Sequence, residues 1–181
     1  MASKALPSPE VLRQLLRYEP KTGKLFWRER GPEWFKSTRI WASWNTQNAN
    51  MEALNVPFQG YLRGGVLKKQ MLAHRAIWAM QTGEWPVDDI DHINGIRDDN
   101  RMENLRHVTR AENLKNVRRR DNNTSGFTGV SFHKASGFWR SRIMVNGREV
   151  VRCFPDIATA ASDRAEASRK YGYHENHGRT G

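Results

Sequence analysis

The segment IDHINGIRDDNRMENLRHVTRAEN, residues 90–113, leaves little freedom of local structure. Thr109-Arg110-Ala111-Glu112 has the Thr-x-x-Glu spacing of a capping box, in which the hydroxyl and the carboxylate each satisfy an amide at a helix start. A helix therefore begins at Arg110, with Asn113 in its first turn. IDHI is an apolar strand that delivers Asp91 and His92 at its end. NGIRDDNRMEN is a run of turn formers, and NLRHV is a second strand. The order strand, loop, strand, helix predicts a two-stranded ribbon with a helix packed across it. In that packing Asn113 reaches back towards Asp91.

Residues 91–113 hold four Asn, three Asp and two His, inside a chain of net charge +11. Such a cluster suits a bound cation. The Asp91 carboxylate and the Asn113 amide oxygen are hard donors, fit for Mg²⁺ with water and a substrate phosphate completing the shell. His92 points to the other side of the strand end, where it is able to take a proton from water. Asn104 is placed to brace the loop and orient the His92 ring. A calcium-loop reading fails on spacing: from Asp91 the third position is Ile93 and the twelfth is Met102. By residue type alone the Asn and Asp also serve as ordinary loop residues and His92 as a structural histidine, so both readings stay open at this point.

The charge surplus is uneven. Residues 1–100 carry fourteen basic and eleven acidic side chains, whereas residues 101–181 carry sixteen and eight. A basic C-terminal half suits a polyanion, because phosphate neutralisation releases condensed counterions. Hydrophobic content of 38% and charged content of 27% place the chain among globular proteins. No apolar run has the length of a membrane span, and MASKALPSPEV lacks the apolar core of a signal peptide. Cys153 is the one cysteine, which excludes an internal disulfide and a cysteine-rich zinc site. The expectation is a soluble protein of a reducing compartment, the cytoplasm.

Upstream, Ser8-Pro9-Glu10 marks a helix start before Leu12, Leu15 and Leu16, and YEPKTGKLFWRER reads as a hairpin. Residues 30–58, with Trp34, Trp41 and Trp44, have no readable period. GYLRGGVLKKQ is a strand pair leading into a helix over His74–Gln81, closed by Gly83 and Pro86. Downstream, KNVRRRDNNTSG is basic and then turn-forming, which suggests a linker. FTGVSFHK, FWRSRIMV and REVVRCF are three strands, the last two joined by the hairpin turn Asn146-Gly147. An alanine-rich helix follows, with Asp156 as its N-cap. Alternation puts Trp139, Ser141, Ile143 and Val145 on one face and Arg140, Arg142 and Met144 on the other. With the helix on the first face, the expected open face carries Arg140, Arg142, Arg148 and Arg152 with His133, in a sheet of a width that fits the DNA major groove.

Asp91-His92, Asn104 in NLRHVT and Asn113 in AEN together resemble the HNH endonuclease motif, the strand–strand–helix metal fold of many phage and homing endonucleases. RYEPKTGKLFW and AHRAIW…GEWP are similar to upstream parts of free-standing phage members. TSGFTGVSF, FWRSRI, NGR and the alanine-rich helix resemble the Apetala-type DNA-binding domain of plant ethylene-response factors. Ser131 and Val150 stand where that domain usually has Arg and Trp, so base specificity does not carry over.

The resemblance implies that Asp91 and Asn113 bind a divalent metal, Mg²⁺ with Mn²⁺ as the alternative. It implies that His92 is the general base and Asn104 its support; His74 resembles a recurrent position of these nucleases and is read as packing beneath the site, with metal ligation as the alternative. His107 is read as packing, and His174 and His177 as tail residues. The implied fold class is α+β and modular: an N-terminal helix and hairpin region over 1–60, a nuclease core over 61–117, a basic linker over 118–126, and a sheet-and-helix module over 127–181. The implied partner is double-stranded DNA, with no membrane. Lys115, Arg118, Arg119 and Arg120 contact its backbone, and Arg140, Arg142, Arg148, Arg152 and His133 dock the C-terminal module. One site per chain suits a nicking monomer, and cutting both strands calls for a homodimer. The rival readings are a DNA-binding regulator that keeps the fold as scaffold and a basic RNA-binding protein.

Overall fold

The computed structural model describes residues 5–116, 119, 121–175 and 177–178. The fold is α+β and modular, in two compact units, Met1–Thr109 and Arg110–Gly181.

In the first unit, α1 (Pro9–Leu15) starts where the Ser8 side chain accepts from the Val11 amide, with proline in its first turn. Its buried face, Leu12 and Leu15, continues into Leu16 of β1 (Leu16–Glu19). β2 (Lys24–Trp27) pairs antiparallel with β1, as the hairpin reading required. The unread stretch holds α2 (Thr38–Asn48), capped by Ser37. This helix buries no residue, so the apolar stripe that makes a helix legible is missing. Polar contacts hold it instead: Trp41 Nε1 and Asn45 Nδ2 donate to the Arg30 carbonyl at 2.6 and 2.9 Å.

β3 (Glu52–Ala53) completes the sheet β1-β2-β3. A second sheet runs β4 (Val56–Phe58), β5 (Tyr61–Val66), β6 (Lys69–Leu72), and feeds α3 (Ala73–Thr82), which ends at Gly83. β7 (Asp89–His92) and β8 (Leu105–Val108) form the expected ribbon. Leu12, Leu15, Leu16, Leu25, Val66, Ile77, Ile90 and Leu105 share one core between α1, α3 and the strands. Each fully buried aliphatic side chain here contributes about 1.5–3 kcal/mol.

The second unit opens with α4 (Arg110–Asn113), which starts where the capping box put it but is four residues long and runs into a 3-10 turn, Leu114–Asn116. β9 (Val130–His133), β10 (Phe138–Val145) and β11 (Arg148–Phe154) form an antiparallel sheet in the order β11-β10-β9. α5 (Ile157–Lys170) begins at Asp156, whose carboxylate accepts from the Thr159 amide at 2.8 Å. It covers the face of Ser141 and Ile143 and buries Ala160 and Ala167.

The register corrects one expectation. A two-residue turn makes its flanking residues partners, so Val145 pairs with Arg148, Ile143 with Val150 and Ser141 with Arg152. Paired residues project to the same face. Arg148, Val150 and Arg152 therefore lie on the helix side, not beside Arg140 and Arg142. Arg152 is bound to Asp163 of α5 at 2.6 Å. The open face carries Phe138, Arg140, Arg142 and Met144 with Ser131, His133, Val151 and Cys153.

Candidate active site

β7 brings Asp91 and His92 to the ribbon end, both buried. Across the ribbon Asp91 faces Arg106, whose Nε and Nη2 both donate to Asp91 Oδ2, at 3.0 and 2.7 Å. His92 Nε2 lies 3.0 Å from Oδ1 of Asn100, the most deeply buried polar residue of the loop. With that oxygen accepting, Nε2 carries the ring proton and the lone pair stays on Nδ1. Burial is the main influence and holds the His92 pKa below its ordinary value, against the opposing pull of Asn100 and the Asp91 carboxylate. A ring kept neutral at pH 7 is in the protonation state that a general base needs.

Asn104 bonds within the loop and away from the His92 ring. Its Oδ1 accepts from the Asn94 amide at 3.0 Å and its Nδ2 donates to the Asp99 carbonyl at 2.8 Å. Asn100 is the residue that meets His92, which corrects the sequence assignment. The loop is fastened further by Arg101, which forks onto both Asp99 oxygens at 2.8 and 2.7 Å. That guanidinium holds the Asp99 carboxyl down to about 2. Tyr18 of β1 reaches the same loop, accepting at its hydroxyl from the Met102 amide at 2.8 Å and donating to the Asn100 carbonyl at 3.2 Å.

Beneath His92 the rings of His74 and Tyr61 close the site. His74 and His92 have centroids 5.1 Å apart, and Tyr61 lies 5.1 Å from His74 and 5.8 Å from His92. The Arg97 guanidinium stacks on the outer side of Tyr61 at 4.9 Å. His74 is 4% exposed and its Nδ1 has no hydrogen-bond partner. Burial, then the neighbouring His92 and Arg75, push its pKa down to about 3.

Between pH 3 and the ordinary value of 6.5 the unfolded chain holds a proton on His74 that the folded chain does not. Stability therefore rises with pH through that window, by up to about 1.4 kcal/mol per unit. His74→Phe is expected to flatten the acid limb of a urea-midpoint series taken between pH 4 and 7. An unchanged slope would refute a neutral, buried His74.

Among the described residues no group of three or more His, Cys, Asp and Glu gathers into a cage. The buried carboxylate of Asp91 is an oxygen donor of the kind that suits a hard divalent cation keeping much of its water shell better than a zinc-type cage does. Asn113 is the last residue of α4, in the second unit.

Several basic residues have other work. Lys115 Nζ donates to the Tyr171 carbonyl at 2.9 Å and lies over the Tyr173 ring, so it is engaged within its own unit. Arg119 donates to the Gly126 carbonyl. Arg118 and Arg120 lie outside the described residues. His107 accepts from the Asp88 amide at 3.1 Å and packs on Trp78. On the open face of the second unit, Arg140 is half-buried with its Nε lacking a hydrogen-bond partner, Arg142 is exposed, and His133 meets Ser136 Oγ at 2.8 Å.

Asn100 and Arg106 were not singled out from the sequence. Asn100 sits in a run, Asp98-Asp99-Asn100, that reads only as turn formers. Arg106 becomes visible once the ribbon register sets it against Asp91. No helix among the described residues is long and apolar enough to cross a membrane. No curated protein and no solved structure matches the chain significantly. Residues 71–115, the stretch that supplies His74, Asp91, His92, Asn100 and Asn104, match the model of an HNH endonuclease family, and in this part the chain is similar to a nuclease.

Proposed function

We propose that the chain is a metal-dependent DNA endonuclease of the free-standing phage or homing type, hydrolysing phosphodiester bonds of duplex DNA. The observation that carries this reading is the buried, neutral His92, fixed by Asn100 beside the Asp91 carboxylate, within the family-matched segment. Nδ1 of His92 takes a proton from water as the water oxygen bonds to phosphorus and the bond from phosphorus to the leaving sugar oxygen breaks, and the Asn100 bond keeps the ring from turning. Asp91 would hold the metal through its carboxylate, with Arg106 fixing its orientation through Oδ2. The resemblance assigns Asn113 as a further ligand. Mg²⁺ or Mn²⁺ at Asp91 supplies charge stabilisation at the phosphate and the leaving oxygen.

The second unit is read as an Apetala-type module that docks on DNA through its open face. Arg140 and Arg142 are its phosphate or base contacts, with His133 alongside. Arg140→Gln/Arg142→Gln is expected to lower the slope of log affinity against log salt by about 1.8 and to weaken duplex binding about tenfold at moderate salt. Anisotropy of a labelled duplex measures both, and parent-like binding would refute the docking face. The activity itself is tested on supercoiled plasmid with Mg²⁺. Nicked or linear product, abolished by EDTA, is the expected result. Intact plasmid from every sequence offered, bound tightly by the protein, would point to a regulator.

A further inference from the structure

The cleft of about 550 Å³ in the first unit is lined by Arg13, Arg17, Arg28 and Arg30, against two carboxylates, Glu29 and Glu33. We propose that it is a second DNA-binding subsite, taking the phosphodiester backbone of the substrate away from the scissile bond. The proposal rests on the endonuclease reading for the identity of the polyanion.

Arg30 sets the character of the cleft. Its guanidinium lies 4.6 Å from the ring centroid of Trp27 and 3.9 Å from that of Trp44, and these two indoles meet edge to face at 5.6 Å. Burial alone lowers its pKa, to about 10, and its Nε has no hydrogen-bond partner. The charge is thus held by aromatic faces rather than by a carboxylate, so its field is not cancelled locally. Structural salt bridges neutralise; this arrangement leaves positive potential directed at the cleft.

Two of the other guanidiniums, those of Arg28 and Arg13, are positioned by backbone, and Arg13 also meets Glu10 at 3.5 Å. Arg28 donates from Nε to the Leu16 carbonyl at 3.1 Å, and Arg13 from Nε to the Met80 carbonyl at 2.7 Å. Fixing Nε leaves the terminal amino groups of Arg28 for an incoming anion, with less side-chain entropy to lose. Arg17 stacks on Phe26 at 4.6 Å, and its nearest carboxylate, Glu19, is 3.8 Å away. Planar, preoriented guanidiniums match phosphate oxygens through paired N–H donors. Trp34 completes the wall beside Gly31. The tryptophan-rich stretch that has no readable period therefore builds this cleft.

The test uses the full chain and a labelled duplex, with anisotropy read across a salt series. Arg17→Gln/Arg28→Gln is expected to lower the salt slope by about 1.8 and affinity about tenfold. Glu29→Gln/Glu33→Gln is expected to tighten binding, a gain that misfolding cannot produce. Parent-like affinity and slope in both double variants would overturn the proposal. So would adenosine monophosphate that binds the parent but not the arginine variant and leaves the duplex bound, since that assigns the cleft to a free nucleotide. The two readings separate in the same series. Cleft variants that shift binding while the parent leaves plasmid intact retain the subsite and sink the nuclease. A parent that nicks while the cleft variants bind like it does the reverse.

Discussion

His92→Ala is expected to nick supercoiled plasmid at least about a hundredfold more slowly than the parent while binding duplex with the same affinity, the loss a positioned general base accounts for. Nothing else described at the site offers an equivalent base. His74 is buried and its pKa is pushed down to about 3, so its affinity for a proton is too low for the task. Asp91 is paired to Arg106 at 2.7 Å, and Asn100 and Asn104 are amides that do not titrate.

The pH profile adds a second check. The base must be neutral, and burial holds the His92 pKa below its ordinary value, so activity should persist below the pH at which a solvent-exposed histidine protonates. Removing the ring leaves Asn100 Oδ1 without that partner in a buried position, so the variant also needs a folding control by circular dichroism. Equal cleavage by folded parent and variant would remove His92 from the mechanism and leave the metal and an external base to do the chemistry.

The sequence carried much of this site because its signals are local. The capping box at Thr109 marked where α4 begins, and the apolar residues of IDHI and NLRHV marked both strands. Asn146-Gly147 fixed the last hairpin. What alternation within single strands misses is the consequence of pairing. A two-residue turn already implies that Val145 and Arg148 are partners, and from there that Arg152 faces α5, yet alternation within each strand alone leaves the relative phase of the two strands open. The His92–Asn100 contact has the same character. Nothing in the composition of a turn-rich loop distinguishes the asparagine that folds inward from those that face water. α2 was unreadable for a different reason: its packing is by tryptophan and backbone polar contacts, without the apolar periodicity on which helix recognition depends.

The long-range support of the site is most exposed at Gly23, where Gly23→Ala should destabilise the first unit by about 2–4 kcal/mol and lower cleavage as well. Gly23 has φ +73, and an added Cβ would lie 2.6 Å from both Arg101 N and Asn100 C. Those are backbone atoms of the loop whose Asn100 side chain holds His92. No rotamer change relieves such a collision, so either the β1–β2 turn or the loop must shift. Tyr18, which bonds this loop at both Asn100 and Met102, resists the shift on one side.

Gly83→Ala separates backbone strain from collision within the same unit. Gly83 also has positive φ, +91, but its Cβ would meet only the Arg13 guanidinium, at 3.8 Å. That substitution should cost about 1–2 kcal/mol, the left-handed penalty alone. Urea midpoints for the two variants measure the difference, and plasmid nicking under native conditions reports whether the loop moved. If Gly23→Ala matches Gly83→Ala in stability and the parent in cleavage, the hairpin does not hold the loop. If it falls further in both, the N-terminal hairpin is part of what positions the base, and the chemistry of residues 91–104 depends on a turn about seventy residues earlier.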